Sequence, residues 1–174
     1  MVRARDQGDP TAKRMFHNGD QIGPIRVSAA TSSEFRCEAV RMSDDPTEFI
    51  RSVMPLCATL GVRAREVSVE RVALSLDWAE GLCTSGGLMH GGVLMALADS
   101  AGAACAYLNL PEGAAGTATV ESTTNFIGAV REGTVDAVAR PLHVGSTTIV
   151  VETELEAAER LVAKVTQTQL VLRA

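Results

Sequence analysis

One acidic side chain stands alone in an apolar stretch in the middle of the chain. Asp99 is the only charged residue between Gly91 and Tyr107, and in a helix its neighbours three and four positions away would be Met95, Ala96, Gly102 and Ala103. A helix without a polar stripe is expected to be buried, and a buried carboxylate without a partner costs several kcal/mol. We therefore predict that Asp99 is a buried group with a chemical role, as a general base or nucleophile. The alternatives are a solvent-facing Asp99 or a pair with an Arg that is distant in sequence.

A second chemical feature lies immediately before this stretch, where His90-Gly91-Gly92 opens the helix. The first backbone N–H groups of a helix have no partner within it, so together with the helix dipole they can bind a carbonyl or an oxyanion. Glycine at that point lets a ligand approach the backbone closely. Two glycines before a helix, or a single His, are more often structural. Their combination with Asp99 predicts a site for a reacting carbonyl group.

The elements that must position these groups follow from hydrophobic periodicity. An acidic residue before a proline, Asp45-Pro46, predicts a helix that ends at Gly61. The long helix runs from Gly91 to Tyr107, after a loop over 80–89. Period-2 alternation predicts strands over 62–67, 71–78, 116–127, 134–142, 147–156 and 161–172. This order predicts an α+β fold in which an antiparallel sheet wraps around the long helix.

Residues 1–41 show neither helical nor strand periodicity, and we expect a flexible N-terminal extension before a domain over 42–174. Met42 precedes the first helix and is a plausible alternative start. A tail that docks on a neighbouring subunit is the other interpretation of these residues.

Composition limits the function classes. The formal net charge of −5 argues against a nucleic-acid-binding protein. The cysteines have neither C-x-x-C spacing nor a His partner nearby, which argues against a zinc site, and Cys57 and Cys105 fit buried free thiols. No signal-peptide pattern and no run of about 20 apolar residues is found. We expect a soluble, cytoplasmic protein with no membrane partner.

The combined motif resembles a known family. His90-Gly91-Gly92, with six residues before Asp99, closely resembles the motif of the phenylacetic-acid-degradation-type (PaaI-type) subgroup of hotdog acyl-CoA thioesterases. The similarity extends to the segments Met54-Pro55-Leu56, Leu60-Gly61, Thr119-Val120-Glu121 and Asn125-Phe126. It covers the chain from about Asp45 to the C-terminus.

This resemblance implies a hotdog fold, a homodimer or homotetramer with active sites at the dimer interface, and an acyl-CoA substrate without a metal or prosthetic group. Asp99 would be the general base or nucleophile. The Gly91 N–H, beside Gly92, would polarise the thioester carbonyl, and His90 would orient that loop. Thr119 would help to position water from the opposite subunit.

Two positions depart from the family pattern. Thr84, beside Ser85, stands where many relatives have Asn, and a hydroxyl lacks the paired donor and acceptor of an amide. The turn after Gly145 lacks the usual Arg or Lys, so contact with the CoA phosphates would fall to Arg131, Arg140 or Arg160.

Three functions are consistent with the sequence. The first is hydrolysis of an acyl-CoA thioester. A non-catalytic acyl-CoA-binding or regulatory protein is the second, and the departure at Thr84 favours it. A 3-hydroxyacyl thioester dehydratase is the third, although the helix offers no second carboxylate for the acid/base pair of that reaction.

Overall fold

The computed structural model describes residues 45–173. Within this range the structure contains three helices, Pro46–Val53 (α1), Pro55–Leu60 (α2) and Gly91–Leu108 (α3), and a short 3-10 helix over Glu80–Leu82. The six strands are Arg63–Val67 (β1), Val72–Asp77 (β2), Ala114–Phe126 (β3), Thr134–Val144 (β4), Thr148–Ala157 (β5) and Arg160–Arg173 (β6). The predicted extension over 1–41 and the alternative start at Met42 lie outside the described residues.

The predicted first helix is divided in two at Pro55. Asp45 caps α1 by accepting from the Thr47 N–H at 2.8 Å, and Met54 leaves the helical conformation with φ −130° and ψ 87°. Pro55 then becomes the first residue of α2, because a proline ring excludes helical geometry from the residue before it and lacks an N–H of its own. The prediction that this region ends at Gly61 is confirmed, since Gly61 adopts φ +79° at the end of α2.

The six strands form one antiparallel sheet in the order β1-β2-β4-β5-β6-β3. Side chains of β4, β5 and β6 alternate between buried and less buried positions, as the period-2 pattern predicts. The buried faces of these strands contact α3. The predicted α+β architecture, an antiparallel sheet around one long helix, is confirmed.

Both of the predicted buried thiols belong to this core. Cys57 and Cys105 are fully buried and free. Desolvation raises the pKa of the Cys105 thiol to about 11, because burial disfavours the thiolate. Cys37 lies outside the described residues.

The sheet covers one side of α3 and leaves the other side open. Leu94, Leu97, Ala101 and Cys105 are among the buried residues of the helix. Gly92, Met95, Asp99 and Tyr107 are exposed on the opposite side. By length and composition alone α3 could cross a membrane, but in this chain it is the core helix of the sheet.

Strand β3 is the outermost strand on one edge of the sheet. Its 13 residues pair only with β6, so its other edge has no partner strand within the described part of the chain. Most of β3 is exposed, including Val120, whose side chain is 59% exposed. The open edge of β3 and the open side of α3 are therefore two incompletely covered surfaces of the described domain.

Candidate active site

Asp99 lies on the open side of α3, two turns into the helix. The expectation that it is buried is wrong for the isolated chain: its side chain is exposed. The apolar character of the helix had predicted burial on all sides, but the sheet wraps only one of them. The carboxylate nevertheless has partners, because its Oδ1 accepts from Gln167 Nε2 at 2.6 Å and from Thr119 Oγ1 at 3.2 Å.

Thr119 contributes to the site from β3 of the same chain. The resemblance had implied a Thr119 that acts from the opposite subunit, whereas its hydroxyl here contacts the Asp99 of its own chain. A β-bulge follows Thr119, between Thr119 and Glu121. Bulges of this kind redirect side chains near functional sites.

A second glutamine supports Thr119. Gln169 lies directly opposite Thr119 in the β3–β6 register and donates to its Oγ1 from Nε2 at 2.8 Å. The Gln169 Oε1 accepts in turn from Thr117 Oγ1 at 3.2 Å. Since the Thr119 oxygen already accepts from Gln169, its own proton is directed to Asp99. Thr117, Gln169, Thr119 and Asp99 thus form one chain of hydrogen bonds.

The sequence analysis missed both glutamines. The signal that could have found them is strand parity: Val165, Gln167, Gln169 and Val171 occupy alternate positions of β6 and are all buried. Two glutamines in phase with core valines indicate amides that point into the core. Such amides need polar partners, and Asp99 and Thr119 supply them.

His90 begins α3 as its N-cap. Its Nδ1 accepts from the Gly92 N–H at 2.8 Å, which places the proton of a neutral imidazole on Nε2. Gly92 therefore has no free N–H for a substrate, contrary to the expectation that it binds one. A Cβ at Gly92 would lie 2.9 Å from His90 Nδ1, so the glycine is needed for the cap. The predicted orienting role of His90 thus takes the form of a helix cap.

The Gly91 N–H, in contrast, has no acceptor among residues 45–173. Gly91 borders a cavity of about 350 Å³ that is lined mainly by apolar residues, Leu88, Met89, Leu94, Phe126 and 127–130 among them. Thr84, a predicted substrate-binding residue, lines the same cavity. Ser85 is exposed on the loop and does not line it.

Arg131 lies at a neighbouring cavity. This cavity, of about 510 Å³, is also lined by Arg160, and residues 127–130 line both cavities. Arg131 Nη1 donates to the Gly86 carbonyl at 3.3 Å and so also anchors the loop before α3. Arg140 is exposed on β4 and lines neither cavity.

The structure does not bring Asp99 and Gly91 together within one chain. Eight residues of α3 separate them, which corresponds to about 12 Å along the helix axis. A reacting carbonyl must lie within about 3.5 Å of both its attacking group and its N–H donor. One chain therefore presents two half-sites: a carboxylate with its donors, and a helix N-terminus beside an apolar cavity. Residues 45–173 contain no group of three or more His, Cys, Asp or Glu that could hold a metal ion.

Comparisons with known proteins find similarity to thioesterases and esterases. Residues 86–164 match the family model described as the thioesterase superfamily. ComA2 of Bacillus subtilis, an esterase by name, is 32% identical over 108 residues, which are 62% of this chain and 86% of ComA2. The 1,4-dihydroxy-2-naphthoyl-CoA hydrolase of Escherichia coli is 42% identical over 60 residues, or 34% of this chain and 43% of that protein.

A solved structure resembles the whole domain. The crystal structure of a mutant of thioesterase PA1618 from Pseudomonas aeruginosa aligns with a TM-score of 0.69 and 25% identity, over 76% of this chain and 97% of that one. Together with the sheet topology, this similarity confirms the predicted hotdog fold.

Proposed function

The chain belongs to the thioesterase superfamily, and from this premise we propose that it hydrolyses an acyl-CoA thioester with Asp99 as general base or nucleophile. The single observation that carries the proposal is the Asp99 carboxylate, held by neutral donors on the open side of α3. A CoA ester as substrate is supported by the similarity to the Escherichia coli hydrolase. The His90-Gly91-Gly92 and Asp99 motif supports assignment to the PaaI-type subgroup.

A complete site requires two copies of the chain in this proposal. Asp99 of one copy and the Gly91 N–H of another act on the same thioester, because about 12 Å of helix separates the two groups within one chain. A homodimer then has two equivalent composite sites, and two dimers can form a homotetramer. The open side of α3 and the open edge of β3 support this association, since both are incompletely covered in the single chain.

Each residue has one task in the reaction. The Gly91 N–H binds the thioester carbonyl oxygen and stabilises the negative charge that develops on it. Asp99 uses Oδ2, which has no donor among the described residues, either to deprotonate an attacking water or to attack the carbonyl carbon itself. In both cases one water is consumed, the C–S bond breaks, and the products are the free acid and the CoA thiol. No metal or prosthetic group takes part.

The CoA phosphates are assigned to Arg131 and Arg160. The acyl group and thioester occupy the apolar cavity at Gly91, and residues 127–130 connect it to the cavity that both arginines line. Arginine suits this role because its planar guanidinium can donate two hydrogen bonds to one phosphate. Thr84 contacts the substrate at the Gly91 cavity through its hydroxyl.

The test is thiol release from a panel of acyl-CoA esters that differ in chain length and aromaticity. Asp99→Asn keeps the size of the side chain and removes its charge, and we expect kcat to fall by at least about 100-fold. Asp136→Asn is the matched control, because Asp136 lies on β4, pairs with Arg65 at 3.2 Å and contacts none of the residues assigned to the site. Its turnover should stay within about twofold of the unmodified protein.

Other outcomes distinguish the alternative functions. If Asp99→Asn retained full turnover, Asp99 would not be the base or nucleophile. Tight acyl-CoA binding without thiol release across the panel would select the binding protein. An enoyl product with the thioester intact would select the dehydratase.

A further inference from the structure

We propose that Gln167 is a positioning residue that fixes the carboxylate of Asp99 and is seated in a space that Gly102 leaves in α3. This inference rests on the proposed function, because it concerns the group assigned to attack or to deprotonate water. It assigns a role to a buried residue of β6 that the family motif does not include.

Gln167 is a polar residue in the interior of the fold. Its side chain has no exposed surface, and on the same face of β6 it lies between the buried residues Val165 and Gln169. A buried amide is destabilising wherever a polar atom is left unpaired, and the Gln167 Oε1 has no partner among the described residues. An apolar residue at this position would avoid that cost. The side chain of Gln167 forms one hydrogen bond among the described residues, and this bond is to Asp99.

The hydrogen bond from Gln167 to Asp99 is directed to one oxygen of the carboxylate. Gln167 Nε2 donates to Asp99 Oδ1 at 2.6 Å, a short contact of the kind that a charged acceptor favours. Thr119 donates to the same oxygen. Both donors therefore hold one carboxylate oxygen, and Oδ2 is left for the substrate. Because Asp99 is otherwise exposed on the open side of the helix, these two donors are what restricts its rotation.

Gly102 lies in the interior of α3, where glycine is less favourable than alanine because of its greater backbone freedom. A Cβ at this position would lie 1.9 Å from Gln167 Oε1 and 3.0 Å from its Cδ. Gly102 is one turn after Asp99 on α3, so the space it leaves is where the Gln167 amide must pass to reach the carboxylate. Even the smallest side chain at 102 would displace the amide.

Gln167 cannot itself touch the substrate, because it is fully buried beneath α3. Its effect must therefore pass through Asp99, and it should change kcat without changing substrate affinity. Gln167→Met preserves the size of the side chain and removes the donor. We expect kcat to fall about tenfold or more, with KM within about twofold of the unmodified protein.

Gln167→Glu gives a second readout, which a merely structural role would not move. It places a second carboxyl group against Asp99, and two carboxylates at hydrogen-bond distance cannot both be ionised. Because position 167 is fully buried and Asp99 is exposed, the introduced carboxyl group should keep the shared proton and donate it to the ionised Asp99. The pH–kcat profile should therefore gain a descending alkaline limb, where loss of the proton from the introduced group removes this donor. Thr153→Val is the matched control, since Thr153 is a fully buried polar residue of β5 without a hydrogen bond to Asp99. Its kcat and pH profile should be unchanged.

Two variants distinguish the effect of the Gln167 hydrogen bond on kcat from the effect of the Gly102 contact on Tm. Gly102→Ala should lower kcat as Gln167→Met does and should also lower Tm, because the new Cβ displaces the amide. Adding Gln167→Ala to Gly102→Ala removes the clash but not the loss of the donor. The double variant should therefore recover Tm while kcat stays low.

The outcomes distinguish this inference from the proposed function. If Asp99→Asn abolishes thiol release but Gln167→Met keeps the unmodified kcat and pH profile, the positioning role is wrong and the proposed function stands. If the unmodified protein releases no thiol, the proposed function fails, and the bond is then tested by the side-chain amide resonance of Gln167 in NMR spectra. That resonance should shift on Asp99→Asn, and an unchanged resonance would exclude the bond.

Discussion

At Asp99 the carboxylate is held by neutral donors rather than by a cation. Gln167 and Thr119 fix one of its oxygens, and no Arg or Lys pairs with it among residues 45–173. A guanidinium in the same place would neutralise the charge that a base or nucleophile needs, whereas an amide and a hydroxyl orient the group and leave its charge in place. The side chains around Asp99 are thus suited to orienting it for reaction.

A residue-scale prediction concerns Gly91, the proposed donor to the thioester carbonyl. Gly91→Pro removes this N–H, and proline is well accommodated at the first position of a helix. The preceding residue, His90, already has the extended conformation that proline requires, with φ −65° and ψ 134°. We expect kcat for thiol release to fall by about 10²–10³ while helix content measured by circular dichroism is unchanged.

Gly91→Ala is the matched comparison, because it keeps the N–H. Its Cβ would lie 3.1 Å from the ring of Phe126, which is half-exposed and able to move. Gly91→Ala should therefore lose much less activity than Gly91→Pro. Equal losses in the two variants would show that the N–H is not what the reaction uses.

The sequence located the central groups of the site but not its supporting residues. Asp99 and Gly91 could be found because a charge in an apolar helix and a glycine at a helix start are local features. Gln167 could not be linked to Asp99, because that contact depends on which strand lies beneath which turn of α3. Likewise the burial of Asp99 was wrongly predicted, since periodicity does not reveal that only one side of the helix is covered.

Among the elements, the consecutive helices α1 and α2 show how single residues set boundaries. Pro55 divides the predicted helix, and Gly61 ends it and directs the chain into β1. Thr47 of α1 also forms two hydrogen bonds with the backbone of Ala64 in β1, at 3.1 and 3.3 Å. These hydrogen bonds attach α1 to β1, the strand at the edge of the sheet opposite β3.

The end of α2 at Gly61 leads to a prediction about stability. Its φ of +79° is costly for any residue with a Cβ, although no atom lies within 4 Å of the position that a Cβ would occupy. Gly61→Ala should lower the free energy of unfolding by about 1 kcal/mol in urea denaturation, through backbone strain alone. Activity should be unaffected, since Gly61 is remote from the site residues in the fold.

Gly81→Ala serves as the control. Gly81 also has open space around it, but its φ lies outside the left-handed region. Its free energy of unfolding should change by no more than about 0.5 kcal/mol. The explanation by backbone strain would be contradicted if the two alanine variants were equally stable.

Most of the fold could be predicted from the sequence. All six strands and the long helix lie within a few residues of their predicted bounds, because their patterns extend over many residues and the turns between them contain Gly or charged residues. The division at Pro55 was missed because the apolar spacing of α1 and α2 is continuous across it. The strand order could not be predicted from hydrophobic periodicity, because strand pairing depends on contacts between segments that are distant in sequence.

For the whole molecule, the separation of Asp99 from Gly91 has the largest consequence. The two half-sites lie on one rigid helix, so no loop movement within the chain can bring them together. The edge of β3 and the open side of α3 are the surfaces through which a second copy would complete the site. Activity in the proposed mechanism is therefore a property of the assembly.

Complementation between two inactive variants tests this. Asp99→Asn and Gly91→Pro are each expected to be inactive, but a mixed dimer contains one site with an intact Asp99 from one chain and an intact Gly91 from the other. After unfolding and refolding as an equal mixture, half of the dimers should be mixed, each with one of its two sites intact. Thiol release should then recover to about a quarter of the unmodified level.

Each variant refolded alone should stay at background, which controls for recovery through refolding itself. An equal mixture that also stays at background, although mass spectrometry detects mixed dimers, would place both groups of each site in a single chain.

The contact between Gly102 and Gln167 also constrains how this protein could have diverged. A larger residue at 102 cannot be accepted while the glutamine remains, and loss of the glutamine removes the reason to keep a glycine inside the helix. The two positions should therefore change together among homologous chains, although they are far apart in sequence. Presence of the pair would then mark those homologues in which an amide anchors the carboxylate of the central helix.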